Sequence, residues 1–282
     1  MVDLIIPTYG RHENLRALTL EIARCAGAEF RIFFVINPTD TQTENVIVEL
    51  CKEHDFISIL KTESKDISEI VQFGYEKTSS EYVMFLADDL GFPQGFLKTA
   101  LGDIGDKALL AIASTECHGW SWFMVKRSYV EEHSLVCGTT NRVMASGYCR
   151  MAEAELVFTM QSRGQIAYAS FTFDHADPSL YGYLQRGVVS RKKWLLTDLS
   201  IPFCDIEVRV IKNEDTGLNN VLEIGFVPRN PIVVGDSYKA YSNEEHIKDC
   251  AVLASRAHLW GGKTRQDVFF KRLENFKCQK SV

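Results

Sequence analysis

Apolar runs and amphipathic stretches alternate along the first third of the chain. "VDLIIPTY" opens as a short β-rich run. "RHENLRALTLEIARCAG" follows, with Leu15, Leu18, Ile22 and Cys25 at helical spacing and Gly27 as a stop. "FRIFFVINP" reads as a second buried strand, "DTQTENVIVELCKEHD" as a second helix and "ISILKTE" as a third strand. "DISEIVQFGYEKTS" reads as a third helix and "EYVMFLA" as a fourth strand. Strands separated by helices in this way specify βαβ crossovers, hence an α/β, Rossmann-like, mainly parallel sheet with helices on both faces.

The rhythm then changes. "FPQGFLKTALGDI" predicts a short helix, "ALLAIAS" and "WSWFMVKR" predict strands, and "SYVEEHSL" predicts a helix. "RMAEAELVFTMQSRG" is a clearer helix stopped at Gly164, and "QIAYASFTFDH" is another strand. After "DPSLYGYLQRGVVSRKKW" come two strand-like runs, "DIEVRVIKN" and "NVLEIGFVP", around the turn "EDTGLNN". Two helices, "SNEEHIKDCAVLASRAHLW" and "TRQDVFFKRLENF", close the chain. A boundary is expected near Trp194 to Thr197, dividing the chain into a main domain, 1–195, and a smaller C-terminal α+β appendage, 196–282.

Composition narrows this picture without redirecting it. The 282 residues are 46% hydrophobic and 24% charged, ordinary for a globular protein. A net charge of −6 gives no overall basic field for nucleic acid or an anionic membrane, so any polyanion must meet a local patch. None of the eight cysteines forms C-x-x-C or zinc-finger spacing, so they read as reduced thiols in a reducing compartment. No apolar run approaches a membrane span, and "MVDLIIPTYG" lacks a signal-peptide pattern, so a soluble, cytoplasmic protein is expected.

The chemistry concentrates at strand ends. Asp88 and Asp89 follow the fourth strand directly, Tyr9 follows the first and Asn37 the second. In an open parallel sheet, ligands bind outside the carboxyl ends of the strands, so topology converges these residues on one crevice. Paired carboxylates suit Mg²⁺ or Mn²⁺, which take oxygen ligands and leave part of the shell to substrate phosphates. The bland alternative is a pair that only solvates a turn. "PTYGRHEN" has no G-x-G-x-x-G, and no Walker sequence occurs, which excludes the usual glycine-rich phosphate grips.

Five segments in order carry a family likeness: "LIIPTYGRHENL", "QFGYEKTSSEYVMFLADDL", "WFMVKRSYVEEHSL", "AEAELVFTMQSRGQIAYA" and "FDHADPS". From about Asp3 to Ser179 the sequence resembles the nucleotide-sugar glycosyltransferases of the GT-A fold, in particular the inverting family 2. That resemblance implies a nucleotide-sugar donor held by Pro7, Tyr9, Arg11, Asn37 and Asp88, with Tyr9 against the base and Asp88 near ribose and metal. It implies Mn²⁺ or Mg²⁺ on Asp89 and His175, with Asp88 beside them. Glu153 falls at the catalytic base, with Glu155 as the alternative. The chain departs from the family pattern at "INPTD", where Asn37 or Asp40 must stand in for an aspartate pair that reads the base. It departs again at Gln72, where asparagine is usual, and at Ala152-Glu153, where an acidic pair is usual.

"LQRGVVSRKKW" gathers Arg186, Arg191, Lys192 and Lys193 between Tyr181, Tyr183 and Trp194. It reads as a solvated charge run, as a lid whose cations (Arg186 and Arg191 among them) neutralise the donor diphosphate, or as a docking patch for an anionic acceptor, DNA included. Trp120 and Trp122 could stack on an acceptor or belong to the core. The resemblance thus implies a metal-dependent inverting transferase, a UDP-sugar being the favoured donor. The acceptor hydroxyl belongs to a glycan, a small molecule or a hydroxymethylated DNA base. Two other readings stay open: a nucleotidyltransferase, for which "TYGRHEN" is poor in glycine and basic residues, and a non-catalytic sugar- or nucleotide-binding module.

Overall fold

A computed structural model describes residues 1–114, 120–148, 152–175, 204–211, 221–228 and 243–260. The chain runs β1 (Val2–Pro7), α1 (His12–Cys25), β2 (Phe30–Ile36), α2 (Thr41–Glu53), β3 (Ile57–Lys61), α3 (Ile67–Glu76) and β4 (Tyr82–Phe85). It continues through β5 (Leu90–Gly91), α4 (Phe96–Ile104), β6 (Leu109–Ser114), β7 (Trp120–Lys126), α5 (Arg127–His133), α6 (Ala152–Ser162) and β8 (Ile166–His175). Beyond these lie β9 (Cys204–Ile211), β10 (Val221–Pro228), α7 (Asn243–Arg256) and a 3₁₀ turn over Ala257–Trp260.

The main sheet has the order β3-β2-β1-β4-β7-β6-β8-β5. Strands β1 to β4 are parallel to one another, β7 opposes β4 and β6, β8 runs with β6, and β5 opposes β8. The mainly parallel sheet flanked by helices, read from the alternation of periods, is what forms. β5 was not anticipated, because two residues carry no periodicity. β9 and β10 pair with each other as an antiparallel ribbon, while the expected turn between them lies outside the described residues.

Alternate residues of each strand enter opposite cores, as the pleat requires. Val2, Leu4 and Ile6 join Ile32, Phe34, Met84, Leu110 and Met124 beneath α1, α2 and α4. Ile5, Val35, Val83, Phe85, Phe123 and Val125 face the other way, onto α3, α5 and α6. Leu253 of α7 is buried in this second core as well. α3 lies so close to β1 that a Cβ on Gly74 would come 2.6 Å from Ile5 Cγ2. Asp40 and Asp66 cap α2 and α3, accepting from Thr43 N and Ser68 N and so satisfying amides that have no partner within the helix.

Trp122 packs against the first core, while only the backbone of Trp120 is described. Cys25, Cys51 and Cys137 are free thiols. No helix among the described residues is long and apolar enough to cross a membrane. The expected helix "TRQDVFFKRLENF" and the basic stretch with Arg186, Arg191, Lys192 and Lys193 lie outside the described residues.

Candidate functional site

The carboxyl ends of β1, β2 and β4 sit side by side because β1 is the central strand of that trio. The ladders run one step past the strands: Thr8 N donates to Val35 O, and Leu86 N donates to Ile5 O. The chain then leaves the sheet at all three ends. Asp88 and Asp89 are 5% and 3% exposed there, so they do not merely solvate a turn. Thr8 Oγ1 donates to Asp88 Oδ2 at 2.6 Å. Arg11 Nη1 donates to Asp88 Oδ1 and to Asp89 Oδ2, both at 2.7 Å.

The loop after β1 holds this arrangement in place. Gly10 has φ 67, the left-handed conformation that glycine adopts most readily. Its amide donates to Asp40 Oδ2 at 2.7 Å, tying the β1 loop to the head of α2. Asp40 therefore caps a helix and braces the loop with the same carboxylate. Asn37 Oδ1 accepts from Thr39 N and Oγ1, which shapes the β2 exit. Pro7 is half-buried at the end of β1. Tyr9 stands 51% exposed between Thr8 and Gly10, so it does not cover the core edge.

Burial pushes the Asp88 carboxyl up from its usual range, and the charge of Asp89 adds to the rise. Arg11 and the Thr8 hydroxyl oppose it without cancelling it. Burial alone would lower Arg11, but the two carboxylates more than reverse that, so the guanidinium stays charged. With both aspartates ionised, two buried negative groups meet the one Arg11 guanidinium between them. Two buried hard oxygen donors in that state fit Mg²⁺ or Mn²⁺. Among the described residues, no three His, Cys, Asp or Glu side chains form a ready-made metal group.

His175 enters through the sheet. β5 pairs with the end of β8 in the register Leu90↔His175 and Gly91↔Asp174. Asp89 is bonded to Leu90, so the two Cα atoms of Asp89 and His175 lie within about 9 Å of each other. Only the His175 backbone is described, and the register places it beside the aspartates.

The two candidate bases separate clearly. Glu155 is 1% exposed, so it is no charge on the helix surface. Arg256 of α7 grips it through Nε and Nη2, each at 2.7 Å, and Tyr148 Oη donates to it at 2.7 Å. Burial, and then the Glu155 carboxylate, raise the Tyr148 phenol. Glu153 is half-buried in the first turn of α6. Two residues on a helix differ by about 200° in direction, so Glu153 cannot share the face that Glu155 turns to Arg256.

Gln72 also proves structural. Its Nε2 donates to Asn141 O and Glu76 Oε1, and its Oε1 accepts from Val143 N, which pins the loop ahead of α6. Arg142 in that loop pairs with Glu69 of α3 and donates to Met144 O.

Residues 3–157, more than half of the chain, match Glycosyl transferase family 2. The chain belongs to that family. This family-2 chain has the GT-A arrangement, a Rossmann-like sheet with its acidic pair at the end of β4. No curated protein matches it. Among solved structures it is similar to the mannosyltransferase PcManGT from Pyrobaculum calidifontis, in complex with GDP-Man and Mn²⁺. The identity there is 12% over 66% of this chain and 60% of that one, with a TM-score of 0.49. It is similar to S. aureus TarS 1–349 in complex with UDP-GlcNAc, at 11% identity over 61% of this chain and 57% of that one, TM-score 0.49. Glucosyl-3-phosphoglycerate synthase from Mycobacterium tuberculosis gives 12% identity over 74% of this chain and 84% of that one, TM-score 0.47. The family-2 chain thus spans less than two thirds of the first two proteins.

Sequence reasoning placed Arg11 with the donor but missed its grip on both aspartates. It missed Thr8 altogether. An oxygen-bearing side chain directly before Tyr9 was the available signal.

Proposed function

We propose that this protein transfers a sugar, with inversion, from a nucleoside diphosphate sugar to an acceptor hydroxyl, and that residues 1–195 form the catalytic unit. The observation that carries this reading is the buried Asp88–Asp89 pair at the carboxyl end of β4, its two carboxylates bridged by Arg11. Asp88, Asp89 and His175 would hold Mn²⁺ or Mg²⁺, which supplies the positive charge that steadies a departing diphosphate. Tyr9, exposed on the rim, offers its ring to the nucleotide base. Pro7 and Asn37 are assigned to the donor nucleotide as well, and uracil is the base we favour. Glu153 accepts the proton of the acceptor hydroxyl, because Glu155 is fully engaged by Arg256 and Tyr148.

Arg186 and Arg191 are assigned to the donor as cations that neutralise its diphosphate. The acceptor is a glycan, a small molecule or a modified DNA base. The acidic net charge favours the first two, since duplex binding draws on many cationic contacts.

The test is a thermal-shift panel of nucleoside diphosphates and nucleotide sugars, with and without Mn²⁺, paired with an assay of donor hydrolysis. Stabilisation that needs both components, and release of sugar to water, are expected. Binding without hydrolysis or transfer would favour a binding module. No stabilisation by any nucleotide would end the reading.

A further inference from the structure

The nitrogen Arg11 Nη1 already holds the two carboxylates that would hold a cation. It is 2.7 Å from Asp88 Oδ1 and 2.7 Å from Asp89 Oδ2, touching one oxygen of each carboxylate. All three side chains are withdrawn from water, at 14%, 7% and 4% exposure. A divalent ion on these carboxylates competes for oxygens that Nη1 already holds, and it repels a guanidinium at that distance. Ion and arginine therefore oppose each other.

The geometry points to Arg11 as an exchangeable internal counter-ion, which must leave the Asp88–Asp89 pair before a divalent cation binds there and which the donor's diphosphate then receives. This rests on the reading of the site given above. Arg11 is suited to the exchange. It precedes α1 at the N-cap, next to Gly10, and its own side chain makes no capping bond. It can therefore swing without unwinding the helix. Stripping a guanidinium from two buried carboxylates is costly when nothing receives it. A diphosphate offers that guanidinium paired oxygens in the fork geometry it prefers. The cation alone therefore binds weakly, because the competent state is little populated. Nucleotide raises cation affinity, and by linkage the cation raises nucleotide affinity equally. Arg11 thus makes a bare metal site improbable and a metal–nucleotide site stable.

The experiment measures Mn²⁺ affinity by titration calorimetry on the full chain, for wild type, R11Q and R11K, with and without UDP. In R11Q, Mn²⁺ alone is expected to bind about tenfold tighter than in wild type, and the gain from UDP to shrink by a similar factor. R11K keeps the charge, so its affinity for Mn²⁺ alone stays within about twofold of wild type. A Gln variant that folds only when Mn²⁺ is present supports the proposal, since the ion then replaces the missing charge. A Gln variant that Mn²⁺ cannot rescue counts against it. Wild type that binds Mn²⁺, with R11Q equal or weaker, overturns the role of Arg11 and leaves the proposed function standing. No Mn²⁺ binding in any protein, with UDP or without, overturns the cation reading itself and Arg11's role with it.

Discussion

Asp3 and Asp88 are buried at opposite ends of neighbouring parallel strands, at 0% and 5% exposure, and each meets an arginine. Their surroundings differ in one respect. Asp3 has Arg31 to itself, through Nε at 2.8 Å and Nη2 at 3.0 Å, and also accepts from Ser79 N and Ser80 N. Burial works against ionisation of Asp3, but these bonds outweigh it and hold its carboxyl below the usual range. Asp88 must share Arg11 with Asp89, so burial prevails and its carboxyl is raised. A carboxylate with its own arginine and two amides ties β1 to the turn before β4. Two carboxylates drawn to one arginine form a cluster of hard oxygen donors that a ligand can enter. The same residue types thus build a fastening at one end of the sheet and a receptor at the other.

Exchanging what each end lacks gives the largest expected effects. Asp89→Ala should lower sugar transfer about a thousandfold while the metal-free fold survives. Asp3→Ala should lose about 3 kcal/mol of stability in urea denaturation, because Arg31 and two amides lose their acceptor together. A folded but active Asp89→Ala would break the contrast at its functional end.

The glutamates of α6 extend the comparison on a smaller scale. Glu153→Gln should reduce turnover about a hundredfold at unchanged stability and unchanged nucleotide affinity. Glu155→Gln should instead cost about 2 kcal/mol of stability by breaking its pairing with Arg256. If Glu155→Gln abolishes turnover in a fully folded protein and Glu153→Gln does not, the two roles are reversed.

Titration gives the smallest effect and the sharpest sign. The folded-state value of Asp3 is depressed, so its stabilisation is present above the unfolded value and is lost as pH falls through the folded one. The folded-state value of Asp88 is raised, so its contribution is favourable below the unfolded value and is lost as pH rises through the folded one. Asp88→Asn should therefore stabilise the metal-free protein by about 1 kcal/mol at pH 7, and the gain should disappear below about pH 4. Melting temperatures recorded across that range, in chelator, measure it.

Much of this was legible beforehand for a physical reason. Leu15, Leu18, Ile22 and Cys25 lie on one helical stripe, and all four are buried. The strand ends that topology converges are the ones that meet: Thr8 and Arg11 from β1, Asp40 from beyond β2, Asp88 and Asp89 from β4. Pairings between distant residues were not legible. Arg11 and Asp88 are 77 residues apart, and Glu155 and Arg256 are 101 apart, and periodicity has no term for such contacts. Glu155 misled for a second reason. Ala152, Leu156, Val157, Phe158, Thr159 and Met160 are buried around most of the circumference of α6, so that helix has no broad polar stripe from which to judge a charged residue.

Four residues, Leu86 to Asp89, join β4 to β5, and β5 pairs with β8, where Leu90 meets His175, 85 positions later. Chain order therefore sets an order of assembly. The β1–β2 and β2–β3 pairings join neighbours in sequence and can close early, while β1–β4, from Val2 to Tyr82, and β5–β8, from Leu90 to His175, must each wait for a far longer loop to be drawn shut. A nascent chain would carry its acidic pair and Arg11 well before the wall opposite them exists.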